Sequence, residues 1–244
     1  MIIYGINPVL EALRAGRVKE LRIVDRTGGR IADVLKIAEA SAVPIRRVSQ
    51  GELDRAARGG VHQGVAADLA EAESFSVGEL LSGLSTPPLL VVLDGIEDPH
   101  NVGAILRTVD AAGAHGVIRQ SRHAAPLSGA AAKASAGAVS HVKVADVVNI
   151  ARAIEELKAA GVWTVGLAGG VERTYDQIDM TLPTALVLGA EGSGLRRLVR
   201  ERCDWVVSIP LFGHVDSLNV SVAAGIALFE AVRQRRQRSF GASR

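Results

Sequence analysis

The run Leu89-Leu-Val-Val-Leu93, closed by Asp94-Gly95, constrains the fold of this chain more than any other segment. Five apolar residues without alternation fit a strand covered on both faces, as strands of parallel sheets are. Parallel neighbours cannot be joined by tight turns, so the pattern demands crossover connections, usually helices. The sequence beyond supplies them. Helical spacing runs through residues 101–114, 149–161, 196–203 and 219–237, and strand patterns fall at 116–119, 162–168, 184–190 and 205–211. This alternation predicts an α/β fold with a mainly parallel sheet. The alanine-rich tract 123–138 is expected to hold a further helix.

Ahead of that run the pattern changes scale. Residues 7–16, 30–43 and 51–57 read as helices, and 18–25, 43–49 and 62–70 as strands. That order is enough for a small separate α/β domain. Residues 73–88 end in Pro87-Pro88 after a stretch containing Ser and Gly, which suits a connection. The expected division is a first domain at 1–72, a linker at 73–88 and a second domain at 89–244.

Apolar residues make up 48% of the chain but aromatics only 3%, so aliphatic side chains must build the core. The single cysteine, Cys203, excludes an internal disulfide, and no Cys or His spacing resembles a zinc site. A reducing cytoplasm is the expected location. The opening MIIYGINPVLEALRAG is broken by Gly5 and Pro8 and lacks the pattern of a signal peptide. No stretch approaches the roughly 20 apolar residues of a membrane span. A net charge of +2 does not by itself announce a nucleic-acid partner, although residues 1–72 carry 11 basic against 9 acidic side chains. Arg233, Arg235, Arg236 and Arg238 read as the solvated end of the last helix, where the macrodipole favours cations.

Three polar segments lie at or just after expected strand ends, where open α/β sheets place their ligands. The first is Asp94-Gly-Ile-Glu-Asp-Pro-His-Asn101-Val-Gly103-Ala-Ile-Leu-Arg107, in which Asn101 stands at the position of a helix N-cap. The second, Leu188-Gly189-Ala-Glu191-Gly192-Ser193-Gly194, is a glycine-rich turn holding one carboxylate. The third runs from Ile209 through Leu211, Ser217, Leu218 and Asn219 into small residues at Ser221, Ala223, Ala224 and Gly225, with Ser217 or Asn219 as cap. Taken singly, each fits a cap or a tight turn. A metal site at Asp94, Glu97, Asp98 and His100 is disfavoured, because Pro99 and the helix start point those side chains apart. The second turn matches neither a dinucleotide fingerprint nor a phosphate loop, and Ser193 is not in a nucleophile elbow. A nicotinamide-dependent oxidoreductase therefore finds no support.

Together the three segments resemble the motifs of the SpoU (TrmH-like) family in the SPOUT superfamily of RNA 2′-O-methyltransferases, in order and in spacing. YGINPVLEAL and HQGVAA resemble the start and end of the L30e-like domain that precedes some of these enzymes, so the resemblance spans nearly the whole chain. It is greatest to bacterial enzymes that methylate a guanosine ribose in the P loop of 23S rRNA. The resemblance implies a small L30e-like α/β domain for RNA substrate, followed by an α/β-knot methyltransferase domain with a deep trefoil knot. It also implies a homodimer, S-adenosylmethionine as cofactor with S-adenosylhomocysteine as product, no metal, and RNA rather than DNA as partner. Carried over by motif, Gly189, Ile209 and Leu218 would contact the cofactor, with Leu167, Ala168 and Leu211 nearby. Asn101, Arg107, Glu191, Ser217 and Asn219 would fall in the active site. Transfer-RNA enzymes share these motifs, so rRNA and tRNA both stay open as targets. A non-catalytic RNA-binding protein would have no need of the polar first motif.

Arg107 would be the catalytic arginine. A guanidinium stays protonated at ordinary pH, which favours phosphate binding or charge stabilisation over proton abstraction. Asn101 would orient that arginine or the ribose, and Glu191 would fix a loop. Arg14, Arg17, Arg22, Arg46, Arg47 and Arg58 are the expected phosphate contacts of the first domain.

Overall fold

The computed structural model describes residues 2–25, 29–70, 75–122 and 124–241, with side chains through Arg238. It forms two compact units, one comprising Met1–Glu73, Asp98–Arg107 and Ala125–His141, the other Ser74–Glu97, Thr108–Ala124 and Val142–Arg244. The boundary expected at residue 72 falls within 71–74, outside the described residues, as does His123 at the head of the alanine-rich tract.

The first unit opens with β1 (Ile2–Tyr4), α1 (Ile6–Arg14), β2 (Val18–Ile23), α2 (Arg30–Ala40), β3 (Ile45–Arg47), α3 (Gln50–Ala56) and β4 (Val65–Leu69). Its sheet has the order β1-β4-β2-β3, with β2 and β3 parallel and the other pairs antiparallel. Helix α1 buries Pro8, Val9, Ala12 and Leu13, a stripe at helical spacing, and α2 buries Ile31, Val34 and Ala38. Ser49 caps α3 by accepting from the Glu52 N–H at 3.3 Å. Strand β1 adds to the expected elements. Three residues are too few to display alternation.

Residues 73–88 hold more than a connection. Ser76 and Glu79 form a reciprocal capping box for α4 (Val77–Leu81), whose Val77 and Leu80 are buried in the core of the second unit. The chain then continues through β5 (Leu89–Asp94), α5 (Pro99–Ala111), β6 (Gly116–Gln120), α6 (Ala130–Ala134), β7 (Val144–Val147), α7 (Ile150–Ala159), β8 (Trp163–Leu167), β9 (Thr184–Gly189), α8 (Arg197–Arg202), β10 (Trp205–Val207) and α9 (Val220–Gly241). Helix α6 and a following 3₁₀ turn at Ala138–Ser140 belong to the first unit. There Gly137 is required, because its φ is 99° and a Cβ would lie 2.4 Å from the Glu11 Cβ.

The second unit's sheet has the order β10-β8-β9-β5-β6-β7, and all its pairs are parallel. Every residue of β5 is buried, as the unbroken apolar run requires. Each such Leu or Val contributes about 1.5–3 kcal/mol through burial. The chain leaves β5 toward one edge of the sheet and β9 toward the other. A crevice therefore opens at their carboxyl ends, where Asp94 pairs in register with Gly189.

The amino ends of the same two strands are tied by Arg235, and this corrects the reading of the basic tail as a solvated helix end. Its guanidinium donates to the carbonyls of Met180 (2.9 Å), Pro87 (2.6 Å), Pro88 (2.8 Å) and Leu182 (3.0 Å). Burial pulls its pKa below the usual guanidinium range. One residue earlier, Gln234 accepts from the Met180 N–H at 2.8 Å and donates to the Ile178 carbonyl at 3.0 Å. Arg235→Ala strands several carbonyls and is expected to lower the thermal midpoint by about 5–10 °C. Calorimetry should show a change below about 2 °C for Arg236→Ala, which removes an exposed side chain.

Candidate active site

Three loops leave the carboxyl ends of β8, β9 and β10 and enclose a cleft of about 750 Å³. At the end of β9 the turn folds back so tightly that a Cβ on Gly189 would lie 2.2 Å from the Gly194 carbonyl carbon. The Gly194 N–H donates to the Ala190 carbonyl at 2.8 Å, and Gly192 and Gly194 take φ of 78° and 65°. This places bare backbone at the cleft wall. Within β8, a Cβ on Gly166 would lie 2.8 Å from the Leu195 side chain, so glycine there lets the residue after the turn seat against the strand.

The loop after β10 ends in a cap. Asn219 Oδ1 accepts from the Ser221 N–H at 2.9 Å and its hydroxyl at 2.5 Å, which starts α9. Its Nδ2 donates to Glu191 Oε1 at 2.8 Å. One side chain thus joins the second and third sequence segments. The cleft brings together nine expected residues: Leu167, Ala168, Gly189, Glu191, Ile209, Leu211, Ser217, Leu218 and Asn219. Gly169, Asp216 and Val220 also line it and were not singled out in the sequence. Two carboxylates, Glu191 and Asp216, line this space, and among the described residues its lining contains no Lys, Arg or His.

Behind the turn, Asp94 is fully buried and accepts from the Arg196 backbone N–H at 2.8 Å, its Nε at 2.6 Å and a terminal guanidinium nitrogen at 2.5 Å. A carboxylate removed from water needs such charge-assisted donors. The pair ties the exit of β5 to the start of α8 and engages Asp94 away from any metal role. Among the described residues, no group of three His, Cys, Asp or Glu could hold a metal ion. Burial, reinforced by the nearby Asp204 and Asp94 charges, pushes the Cys203 thiol up to about 12.

Asn101 and Arg107 lie on α5, in the part of the chain assigned to the first unit, whereas the cleft residues all belong to the second. Asn101 does not cap α5; Asp98 does. Its carboxylate accepts from the His100 and Asn101 N–H groups at 3.1 and 3.3 Å, and its carbonyl from Val102 at 3.0 Å, with Pro99 at the first helical position. The Asn101 side chain is left buried, at 7% exposure. Arg107 is exposed and makes no ion pair among the described residues.

A parallel α/β sheet with a cleft at the carboxyl ends of its strands is an architecture that many ligand-binding enzymes share. Residues 88–229 match the model of the SpoU rRNA Methylase family, and residues 2–75 match that for RNA 2′-O ribose methyltransferase substrate binding. The chain belongs to the SpoU family. It is 44% identical over 239 residues to a protein named 23S rRNA (guanosine-2′-O-)-methyltransferase RlmB from Pseudomonas putida, covering 96% of both chains. A protein of the same name from Ralstonia nicotianae is 46% identical over 239 residues, again 96% of each. Among solved structures, the SpoU methyltransferase AviRb from Streptomyces viridochromogenes in complex with AdoMet superposes with a TM-score of 0.80 at 27% identity, covering 97% of this chain and 91% of that one. An AdoMet-bound rRNA methyltransferase from Sinorhizobium meliloti gives 0.78 at 29% identity, over 95% and 86%.

The buried pair makes an asymmetric prediction. Arg196→Ala leaves the Asp94 carboxylate in the core with only the backbone donor, and should cost about 3 kcal/mol in urea unfolding. Asp94→Asn should cost less, because Arg196 can turn to solvent. Combining the two should recover part of the loss, and strict additivity would show that the residues do not act as a pair.

Proposed function

We propose that the protein transfers the methyl group of S-adenosylmethionine to the ribose 2′-hydroxyl of a guanosine in 23S rRNA. The observation that carries this reading is the charge of the cleft: two carboxylates, no basic side chain, and backbone exposed by Gly189. A ligand with phosphates would be repelled there. An adenosine bearing a sulfonium and an ammonium fits both the sign and the size. When bound, S-adenosylmethionine supplies an electrophilic methyl group on a positively charged sulfur.

Gly189, Ile209 and Leu218 are assigned to hold the cofactor through backbone groups, and Leu167, Ala168 and Leu211 to cover its apolar parts. Glu191 and Asn219 brace each other, so their first task is to keep two loops at a fixed distance. Ser217 is assigned to the same loop edge. Arg107, exposed and lacking an ion pair among the described residues, is assigned to an RNA phosphate or to charge developing on the ribose oxygen. Asn101 orients it or the sugar. The rRNA target is supported by the names of the 44–46% identical relatives. A cytoplasmic site of action follows from that substrate.

Calorimetry should give about one S-adenosylmethionine site per chain, and an unmodified 23S rRNA transcript should gain a 2′-O-methyl guanosine. Failure to bind the cofactor overturns the reading, and methylation of tRNA alone moves the target. Arg107→Ala should lower turnover at least about 100-fold while cofactor affinity and thermal midpoint stay near wild type. Arg107→Lys keeps the charge without the planar fork, and an equally severe loss there assigns the role to geometry.

The active form is proposed to be a homodimer. Val222 and Phe229 are 49% and 50% exposed and lie seven residues apart on α9, which puts two apolar side chains on one helix face. Light scattering of wild type should give twice the chain mass, and Phe229→Arg should shift it toward monomer.

A further inference from the structure

The arginines of the first unit divide into those already engaged and those still available. Arg14 pairs with Glu11 at 2.5 Å, Arg22 with Asp68 at 2.5 Å, Arg46 with Glu52 at 2.9 Å, and Arg47 with Asp25. Arg17 donates to the Ser140 carbonyl at 3.4 Å. These five have local partners, which narrows the expectation that all six candidates meet RNA. Arg58, the sixth, makes no ion pair among the described residues, and neither does the exposed Arg55 three residues before it. Of the acids beside them, Glu52 pairs with Arg46, and Asp54 accepts from His62 at 3.0 Å. The end of α3 therefore carries two exposed cations that form no ion pair among the described residues.

The loop that follows holds an unusual backbone fixed by several hydrogen bonds. Arg58, Gly59, Gln63 and Gly64 take φ of 49°, 78°, 55° and 84°. Two of these are not glycine, and such strain persists where surrounding contacts over-determine it, which is common at functional sites. Those contacts are present. His62 is 4% exposed, its Nδ1 accepts from the Gly64 N–H at 3.0 Å, and its Nε2 donates to Asp54. Gln63 Oε1 accepts from the Ile6 N–H at 3.0 Å. Tyr4 lies under Gly60 so closely that a Cβ there would come within 2.4 Å of its hydroxyl. Between these anchors Val61 stands 64% exposed.

We propose that residues 55–63 form a preorganised RNA-docking loop, in which Arg55 and Arg58 bind backbone phosphates and Val61 packs on the nucleotide between them. This rests on the RNA-methylating reading above and names the surface through which the first unit holds its substrate. A loop ordered before binding loses little conformational freedom on docking, so two phosphate contacts suffice to matter.

The test uses full-length protein and an unmodified 23S rRNA transcript, with filter binding followed from low to high salt. R55A/R58A should weaken binding about tenfold and reduce the slope of log affinity against log salt by roughly two. R46A/R47A, which removes paired arginines, should move the slope by less than half as much. Arg58→Gly should hold or raise the thermal midpoint, because glycine accepts the left-handed backbone, while still weakening RNA. Cofactor affinity should be unchanged in all variants, since none lies in the cleft. Wild-type affinity and slope in both R55A/R58A and Arg58→Gly would overturn the docking loop, even with methylation intact. Absence of methylation by the wild type, with the loop variants still altering RNA affinity, would instead overturn the proposed reaction and leave the docking loop standing.

Discussion

The parallel pairing of β5 with β9 is the constraint on which the second unit depends. It sets Asp94 opposite Gly189, so the buried carboxylate and the point where the glycine-rich turn departs share one level of the sheet. Arg196 closes the arrangement at the carboxyl ends, and Arg235 closes the amino ends through four carbonyls. The two central strands are thus held at both extremities by guanidinium groups from elements that follow them in the chain. Both clamps suit arginine rather than lysine, because a planar fork can serve several acceptors at once.

The cleft gains its character from what its walls lack. Gly189 cannot bear a side chain, and among the described residues no basic side chain lines the cleft, so what it offers a ligand is backbone groups and two carboxylates. The first unit carries both signs, with two exposed arginines at the end of α3 that form no ion pair among the described residues. Under the proposed reading, small-molecule and polymer recognition would be separated by sign as well as by sequence. A cation-seeking cleft and a phosphate-seeking loop would not compete for each other's ligand.

Much of this was legible in the sequence, for identifiable reasons. Strands buried on both faces, such as β5 and β9, leave apolar runs that need no partner to be recognised. Helices such as α1 and α7 show their buried stripe over two or more turns. Of the nine residues that meet at the cleft, Gly189, Glu191, Ser217 and Asn219 stand out in the sequence as a turn glycine, its carboxylate and candidate caps, while the others came from the motif resemblance. Short elements were missed: β1 and β7 span three and four residues, and α4 five, although its Ser76–Glu79 box was readable in principle. Asn101 mimics a cap in sequence, but Pro99 marks the first helical position and places the cap at Asp98. The partners of Arg235 lie 53 to 148 residues away in sequence, and no local pattern reports contacts of that range.

The first unit is assembled from three stretches of chain, the last of which ends at His141. During synthesis on a ribosome, its four-stranded sheet emerges well before Ala125–His141, which supply α6 and the glycine turn beside Glu11. About 70 further residues must be translated after Glu73 before that unit has all its parts. At the usual elongation rates this takes several seconds, far longer than a small sheet needs to form. The nascent protein therefore passes through a period in which the α1 surface waits for its covering. In a cell, that interval is when a chaperone, or another nascent copy, would meet this unfinished face.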